Sequence, residues 1–308
     1  MEIVFLALIT GAILQSIISI LQYTGYYKFL GSLIFYDGHR PTTNIFGHFG
    51  QRNHYCHYLT WAVFGLIYLH LKDKINTTTF YTLIAWFMFS ITIAASRTVF
   101  IYFIAATIIC FIYYLFNRST LSRTLLFLTI ISSIILIIFE YGYPMLQLAT
   151  HHKHTSLSGL ERLAQTGINS SGLMGRRMVE WQKAWITFKN YPIFGHGLNS
   201  FAHQSVYLLP LFKNTPLNDG LFTNCHNLIL QLLAETGLIG TLIIIGGIMW
   251  VIGTICSQHI GSQPKQTSLG QTSLVVVTIL CIITTTFIHS MFVMCCELKH
   301  GIAILKYY

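Results

Sequence analysis

The 308-residue chain is 54% hydrophobic and only 9% charged, with 18 Lys and Arg against 9 Asp and Glu. So few charges cannot clothe a water-soluble globule of this size, and the apolar residues fall in blocks long enough to cross a hydrocarbon core of roughly 30 Å. The seven cysteines form no disulfide framework, and the absence of CxxC and HxxxH spacings speaks against a metal centre.

Seven apolar blocks, at about 3–22, 54–71, 79–95, 98–116, 124–140, 238–257 and 273–294, read as membrane-spanning helices. Backbone polar groups in lipid must be satisfied within the segment, which excludes isolated strands. The first block has neither a basic leader nor a small-residue cleavage site, so it reads as a retained span rather than a signal peptide. The expected fold is therefore an all-α polytopic membrane protein of about seven transmembrane helices with one long structured loop outside the spans. Helices 1–5 occupy 1–140, the loop with its amphipathic helices 141–237, helices 6 and 7 238–294, and a tail 295–308.

Orientation follows from the short connections. Lys72 and Lys74, Arg118 and Arg123, and Lys265 occupy alternate ones, which places these connections and the N-terminus in the cytoplasm. The segments 23–53, 96–97, 141–237 and the tail then face outside, and they carry thirteen of the 18 basic residues. A face that basic suggests an anionic ligand such as phosphate, with a headgroup-facing loop as the alternative.

The outside segments hold the chemistry-bearing residues. "IFGHFGQRNHYCHY" at 45–58 sets Gln51, Arg52, Asn53 and His54 where the next span begins. Its histidines match no familiar metal spacing, and anchoring at headgroup level is the structural reading for His57 and Tyr58. In "AASRTVF", Arg97 stands between two spans with only Ser96 and Thr98 as polar company. A cation so near hydrocarbon either has a functional partner or snorkels to the interface.

In the long loop, "GRRMVEWQKAWITFKNYPIFGHGLNSF" predicts a helix over about 175–189, stopped by Tyr191-Pro192. Arg177, Trp181, Trp185 and Phe188 form an aromatic stripe with an arginine at its end, as on a helix lying against a membrane interface. Arg176 and Glu180 fall on a neighbouring polar face. A purely structural amphipathic helix explains the stripe equally well, but not the turn "GHG" at 195–197. "NCHNLILQLLAETGLIG" at 224–240 predicts a helix capped by Thr223 or Asn224, with His226 in its first turn and its stop near Gly237. Asn227, Gln231 and Glu235 line one stripe of it. His226 can accept a proton near neutral pH, and the residues alone leave open whether it is a catalytic base or a satisfied histidine at a helix start.

Taken in order, these stretches resemble the O-antigen ligase superfamily, and within it the bacterial protein O-oligosaccharyltransferases that modify pilin. "FGHFGQRNH" is similar to that branch's Phe-Gly-Asn-Phe-Gly-Gln-x-Asn-His signature, with His48 where Asn is usual. "SRT" resembles the family's Ser-Arg element. "RMVEW" with "YPIFGHGLNSF" resembles its Arg-x-x-x-Trp, Pro and Gly-x-Gly pattern, and His226 to Gly237 its His-x10-Gly element.

The resemblance implies glycan transfer from an undecaprenyl-diphosphate donor to a hydroxyl acceptor, a pilin or other periplasmic protein, at the periplasmic face of the bacterial inner membrane. No metal, cofactor or nucleic acid is implied, and membrane lipid is the other partner. It further implies His226 as the group that orients or deprotonates the acceptor hydroxyl. Arg97 and Arg177, with Arg176 beside it, would grip the donor diphosphate, and Gln51, His54, Asn227 and Glu235 would line the pocket. Lipid A–core ligation or O-antigen polymerisation shares this mechanism with another acceptor. An anion transporter is a rival of another class, disfavoured by spans almost free of ionisable residues. The family's pattern also implies further spans before Met1 and a different continuation after His289-Ser290. On that ground the chain reads as a truncated member, and an inactive product is a third reading.

Overall fold

A computed structural model describes residues 1–29, 33–38, 42–149, 173–212, 223–260 and 269–293. Among them every regular element is helical and no strand occurs. The chain divides into two compact units, residues 1–164 with 255–288, and residues 165–254 with 289–308.

The first unit holds α1 (Glu2–Thr24), α2 (Arg52–Leu71), α3 (Thr77–Ala94), α4 (Thr98–Phe116) and α5 (Thr120–Ala149). It also takes the end of α8 (Leu228–Ile260) and most of α9 (Leu269–Val293). Each of the seven expected blocks coincides with one of these helices. Six are long and apolar enough to cross a membrane, which makes this a multi-pass membrane protein. The seventh, α2, has 20 residues, about 30 Å at 1.5 Å per residue, but is less apolar because it carries Arg52, His54, His57 and His70. It is the central helix: 13 of its residues are buried, and it packs against α1, α3, α4 and α5. A helix so enclosed needs little lipid-compatible surface.

Lipid tails are as apolar as leucine, so close packing and polar ties, not burial from water, hold such a bundle together. α1 presents a buried stripe of Phe5, Ile9, Ala12, Ser16, Ser19 and Gln22, whose small members let its neighbours approach. Tyr55 donates to Ser19 Oγ at 2.7 Å, Trp86 to Ser16 Oγ at 2.6 Å, and Tyr58 to the Leu8 carbonyl at 3.1 Å. Each tie is worth about 0.6 kcal/mol in a membrane protein. His57 is buried, accepting from the Trp61 indole at 3.1 Å and packing on Tyr102. The expected headgroup anchor His57 is therefore an interior residue, while Tyr58 is half-buried against α1. The His57 face of α2 looks into the bundle, which a histidine-rich sequence does not disclose.

The second unit is built from α6 (Leu173–Asn190), the short α7 (Phe201–Tyr207), a 3-10 turn at Leu209–Phe212 and α8 through Thr254. A small apolar cluster of Ala184, Phe201, Cys225 and Ala234, with Trp181 and Leu230 against it, joins its three helices. α8 breaks at Gly237, where φ is 63° and ψ −168°, as the sequence predicts.

Candidate functional site

In the first unit, the signature loop is moulded by two glutamines of α1. Gln22, fully buried, uses all its hydrogen-bonding capacity on backbone. Nε2 donates to the carbonyls of Phe35 (2.6 Å) and Gly47 (2.7 Å), and Oε1 accepts from the N–H groups of Phe46 (3.1 Å) and Gly47 (3.0 Å). Two turns earlier on the same face of α1, Gln15 Oε1 accepts from the His48 N–H at 2.8 Å. Arg52 donates to Asn44 Oδ1 through Nε (3.1 Å) and Nη2 (2.6 Å), and Asn44 donates to Asp37 (2.8 Å), which closes the loop over its own base.

The two polar motifs of this unit meet. Ser96 donates to Asn53 Oδ1 at 2.8 Å and lies 3.0 Å from the Thr98 hydroxyl. The turn that allows this is tight, with Ala95 in the left-handed region at φ 53°. Arg97, at the start of α4, is therefore at the same end of the bundle as Gln51 and His54, and burial lowers its pKa from the usual guanidinium value. Gln51 Oε1 is buried with no hydrogen-bond partner among the described residues. Glu140 on α5 is a further buried carboxyl group, 2% exposed. Sequence reasoning passed over it, although one acid in an otherwise apolar span is itself a signal.

In the second unit, Arg177 is half-buried on α6. Arg176 lies on the same helix, but its side chain is outside the described residues. The face assignment of α6 differs from expectation. Glu180 is buried, together with Lys183: Nζ lies 2.7 Å from Glu180 Oε1, Ser205 donates to Glu180 Oε2 at 3.1 Å, and the ammonium sits over the Phe212 ring. Burial raises the Glu180 carboxyl above the ordinary range, against the pull of Lys183. The aromatic stripe divides accordingly. Trp181 joins the interior cluster, whereas Trp185 is 45% exposed beside Phe188.

His226 does not lie in a first helical turn. α8 begins at Leu228 and its cap is Asn227, whose Oδ1 accepts from the Leu230 N–H at 3.1 Å, rather than Thr223 or Asn224. His226 is half-buried in the turn before the cap, with φ 58°, a backbone state that costs a non-glycine residue on the order of 1–2 kcal/mol. Both neighbours are fixed. The Cys225 N–H donates to Gln231 Oε1 (2.9 Å) and its thiol to the Asn227 carbonyl (3.1 Å). Gln231 Nε2 in turn donates to Glu235 Oε1 (2.5 Å), and Glu235 accepts from the N–H groups of Asn199 (3.0 Å) and Phe201 (3.4 Å). Asn227 and Glu235 thus hold backbone and shape the turn that presents His226. Burial pushes the Cys225 thiol up to about 12, so it stays protonated at neutral pH and is no nucleophile.

The glycine motifs interlock. Beyond the break in α8, the Leu238 and Ile239 N–H groups donate to the carbonyls of Pro192 (2.8 Å) and Ile193 (3.2 Å). Before it, the Ala234 and Glu235 carbonyls accept from His196 (3.1 Å) and Gly197 (2.8 Å). A Cβ on Gly195 would stand 2.5 Å from the Glu235 carbonyl, and one on Gly237 would collide with that of Ile193. Among the described residues no group of three or more His, Cys, Asp or Glu is placed to hold a metal ion.

A bundle of membrane-spanning helices with polar motifs gathered at one end, and a second helical unit carrying a histidine in a left-handed turn, define a multi-pass membrane protein. A family model for O-antigen ligases matches residues 82–245, just over half of the chain, and the chain belongs to that family. A model for protein glycosylation ligases matches residues 45–70, so the signature loop and α2 are similar to those proteins. No curated protein and no solved structure matches the chain. Ligase-type glycan transfer is the chemistry this membership assigns.

Proposed function

We propose that the chain transfers a glycan from undecaprenyl diphosphate to a serine or threonine hydroxyl of a periplasmic protein such as a pilin, at the outer face of the bacterial cytoplasmic membrane. His226 takes the proton of the acceptor hydroxyl, whose oxygen attacks the anomeric carbon. The bond from that carbon to the diphosphate breaks, and undecaprenyl diphosphate departs with the electron pair. Arg97 and Arg177, with Arg176 beside it, hold the diphosphate as charge gathers on it, the paired fork of a guanidinium matching its oxygens. Gln51 and His54 line the pocket, while Asn227 and Glu235 keep the His226 turn in shape. The observation that carries this reading is the turn itself: a histidine held in a left-handed conformation by bonds on both flanks. Such strain persists where surroundings over-determine it, and it clusters at functional sites.

The test is His226→Ala, read as glycosylated acceptor per molecule of membrane-inserted enzyme. A general base contributes roughly 100- to 10,000-fold, so activity per molecule should fall by that order while expression and insertion hold. Unchanged activity per molecule would reduce His226 to a packing residue. A second reading, ligation to lipid A–core, draws on the longer family match, whereas the match at 45–70 favours a protein acceptor. Offering both acceptors to one preparation separates them.

A further inference from the structure

We propose that the loop 191–198 is a membrane-inserted foot, whose apolar side chains rest among lipid acyl chains just below the headgroups. No Asp, Glu, Lys or Arg occurs anywhere from 190 to 212, a long uncharged run for a segment outside the spans. Within it Tyr191, Ile193, Phe194 and Leu198 are 59%, 56%, 74% and 78% exposed. Scattered apolar residues on a surface need no explanation, but four of them on one eight-residue loop form a patch.

The points at which the loop is tied decide what covers this patch. Leu238 and Ile239 are the first residues after the break in α8, and their N–H groups bond to the carbonyls of Pro192 and Ile193. From that point α8 runs uncharged to Ile260, and Leu238, Ile239, Leu242 and Ile243 are all exposed, as on a helix side facing lipid. A loop bonded residue by residue to the place where a span enters the bilayer lies at that depth. Its apolar side chains extend the lipid-facing surface of the span without interruption. Lys189, over the Trp185 ring at 5.9 Å, closes the run on one side with the aromatic and cationic pair that favours the headgroup level. The occupant is therefore lipid, since a protein partner would leave the adjoining face of α8 in lipid and the loop beside it out of it.

The inference rests on the membrane span alone and not on the assignment of glycan transfer. Its test uses Phe194→Trp and Leu198→Trp, made separately in the whole chain and placed in phosphatidylcholine–phosphatidylglycerol vesicles. The emission added over that of the unsubstituted protein is recorded with lipids brominated near the headgroup or near the chain end. The added emission should lose most of its intensity to bromines near the headgroup, less to those near the chain end, and little to aqueous acrylamide. Emission untouched by either brominated lipid and freely quenched by acrylamide overturns the proposal. So does emission shielded from both quenchers only at high protein-to-lipid ratio, which would make the occupant a second copy of the chain.

Discussion

Glu180 and Lys183 are three residues apart on α6 and both are buried. In sequence such a pair reads as a surface salt bridge worth a few tenths of a kcal/mol. Buried, its energetics are different. The two charges have lost their hydration, and each is tolerable only because the other and Ser205 replace it. Lys183→Met should destabilise the second unit by about 3–5 kcal/mol, because it leaves a carboxylate buried without its cation. The double replacement Glu180→Leu with Lys183→Met removes both charges and should recover most of that loss. Thermal unfolding of the single and double variants in detergent reads the coupling. Additive losses would mean that the pair is hydrated after all.

The residue scale is also where the sequence is least legible. Local spacing identifies Arg177, Glu180 and His226 as noteworthy, but not which way each faces. An aromatic stripe at helical period names a side of α6 without saying what lies on it; Trp181 turns inside and Trp185 does not. The cap at Asn227 escapes a sequence reading because Thr223, Asn224 and Asn227 are all good caps, and only the bond from the Leu230 N–H to Asn227 Oδ1 decides between them. Gln22, which shapes the signature loop from 25 residues away at Gly47, leaves no local trace at all.

At the scale of elements, the helices are legible almost to their ends. Apolar runs of bilayer length admit one conformation, and Pro, Gly and Asn punctuate them. Less legible is that two motifs some 40 residues apart in sequence are one construction. Gly195 and Gly237 face each other backbone to backbone, and neither position has room for a Cβ. Gly195→Ala should therefore push the loop off α8 and strain a left-handed backbone, costing at least about 1 kcal/mol. Limited proteolysis in membranes checks this: cleavage between residues 190 and 200 should become faster than in the parent protein. An unchanged rate would show that the lacing contributes little.

For the whole molecule, the organising quantity is the direction in which the chain crosses the membrane. Within the first unit Lys74 lies 3.5 Å from Glu2, while Asn53 and Ser96 meet at the start of α2. The first pair joins the N-terminus to the basic connection 72–76, and the second joins the two polar motifs. The distribution of basic residues predicts that the first end faces the cytoplasm. A membrane-impermeant maleimide added to intact cells should therefore label His48→Cys and not Lys74→Cys, both positions being exposed. Cys56, Cys110, Cys225 and Cys281 of the parent are buried and contribute little background. Labelling of Lys74→Cys from outside would reverse the orientation and remove the donor-facing role of Arg97.

The break in α8 has a mechanical consequence. A long helix interrupted at a glycine is ordinarily a joint, free to bend as its two halves respond to different surroundings. Here backbone bonds from a single loop grip the helix on both sides of Gly237: residues 192 and 193 hold its C-terminal side, and residues 196 and 197 hold its N-terminal side. The joint is splinted. The nine residues from Leu228 to Thr236, with Gln231 and Glu235 bracing the His226 turn, are fastened to the membrane segment as one stiff lever. Any rearrangement that admits and releases ligands must then pivot somewhere other than Gly237, and a histidine mounted on such a lever keeps its depth relative to the bilayer while its surroundings move.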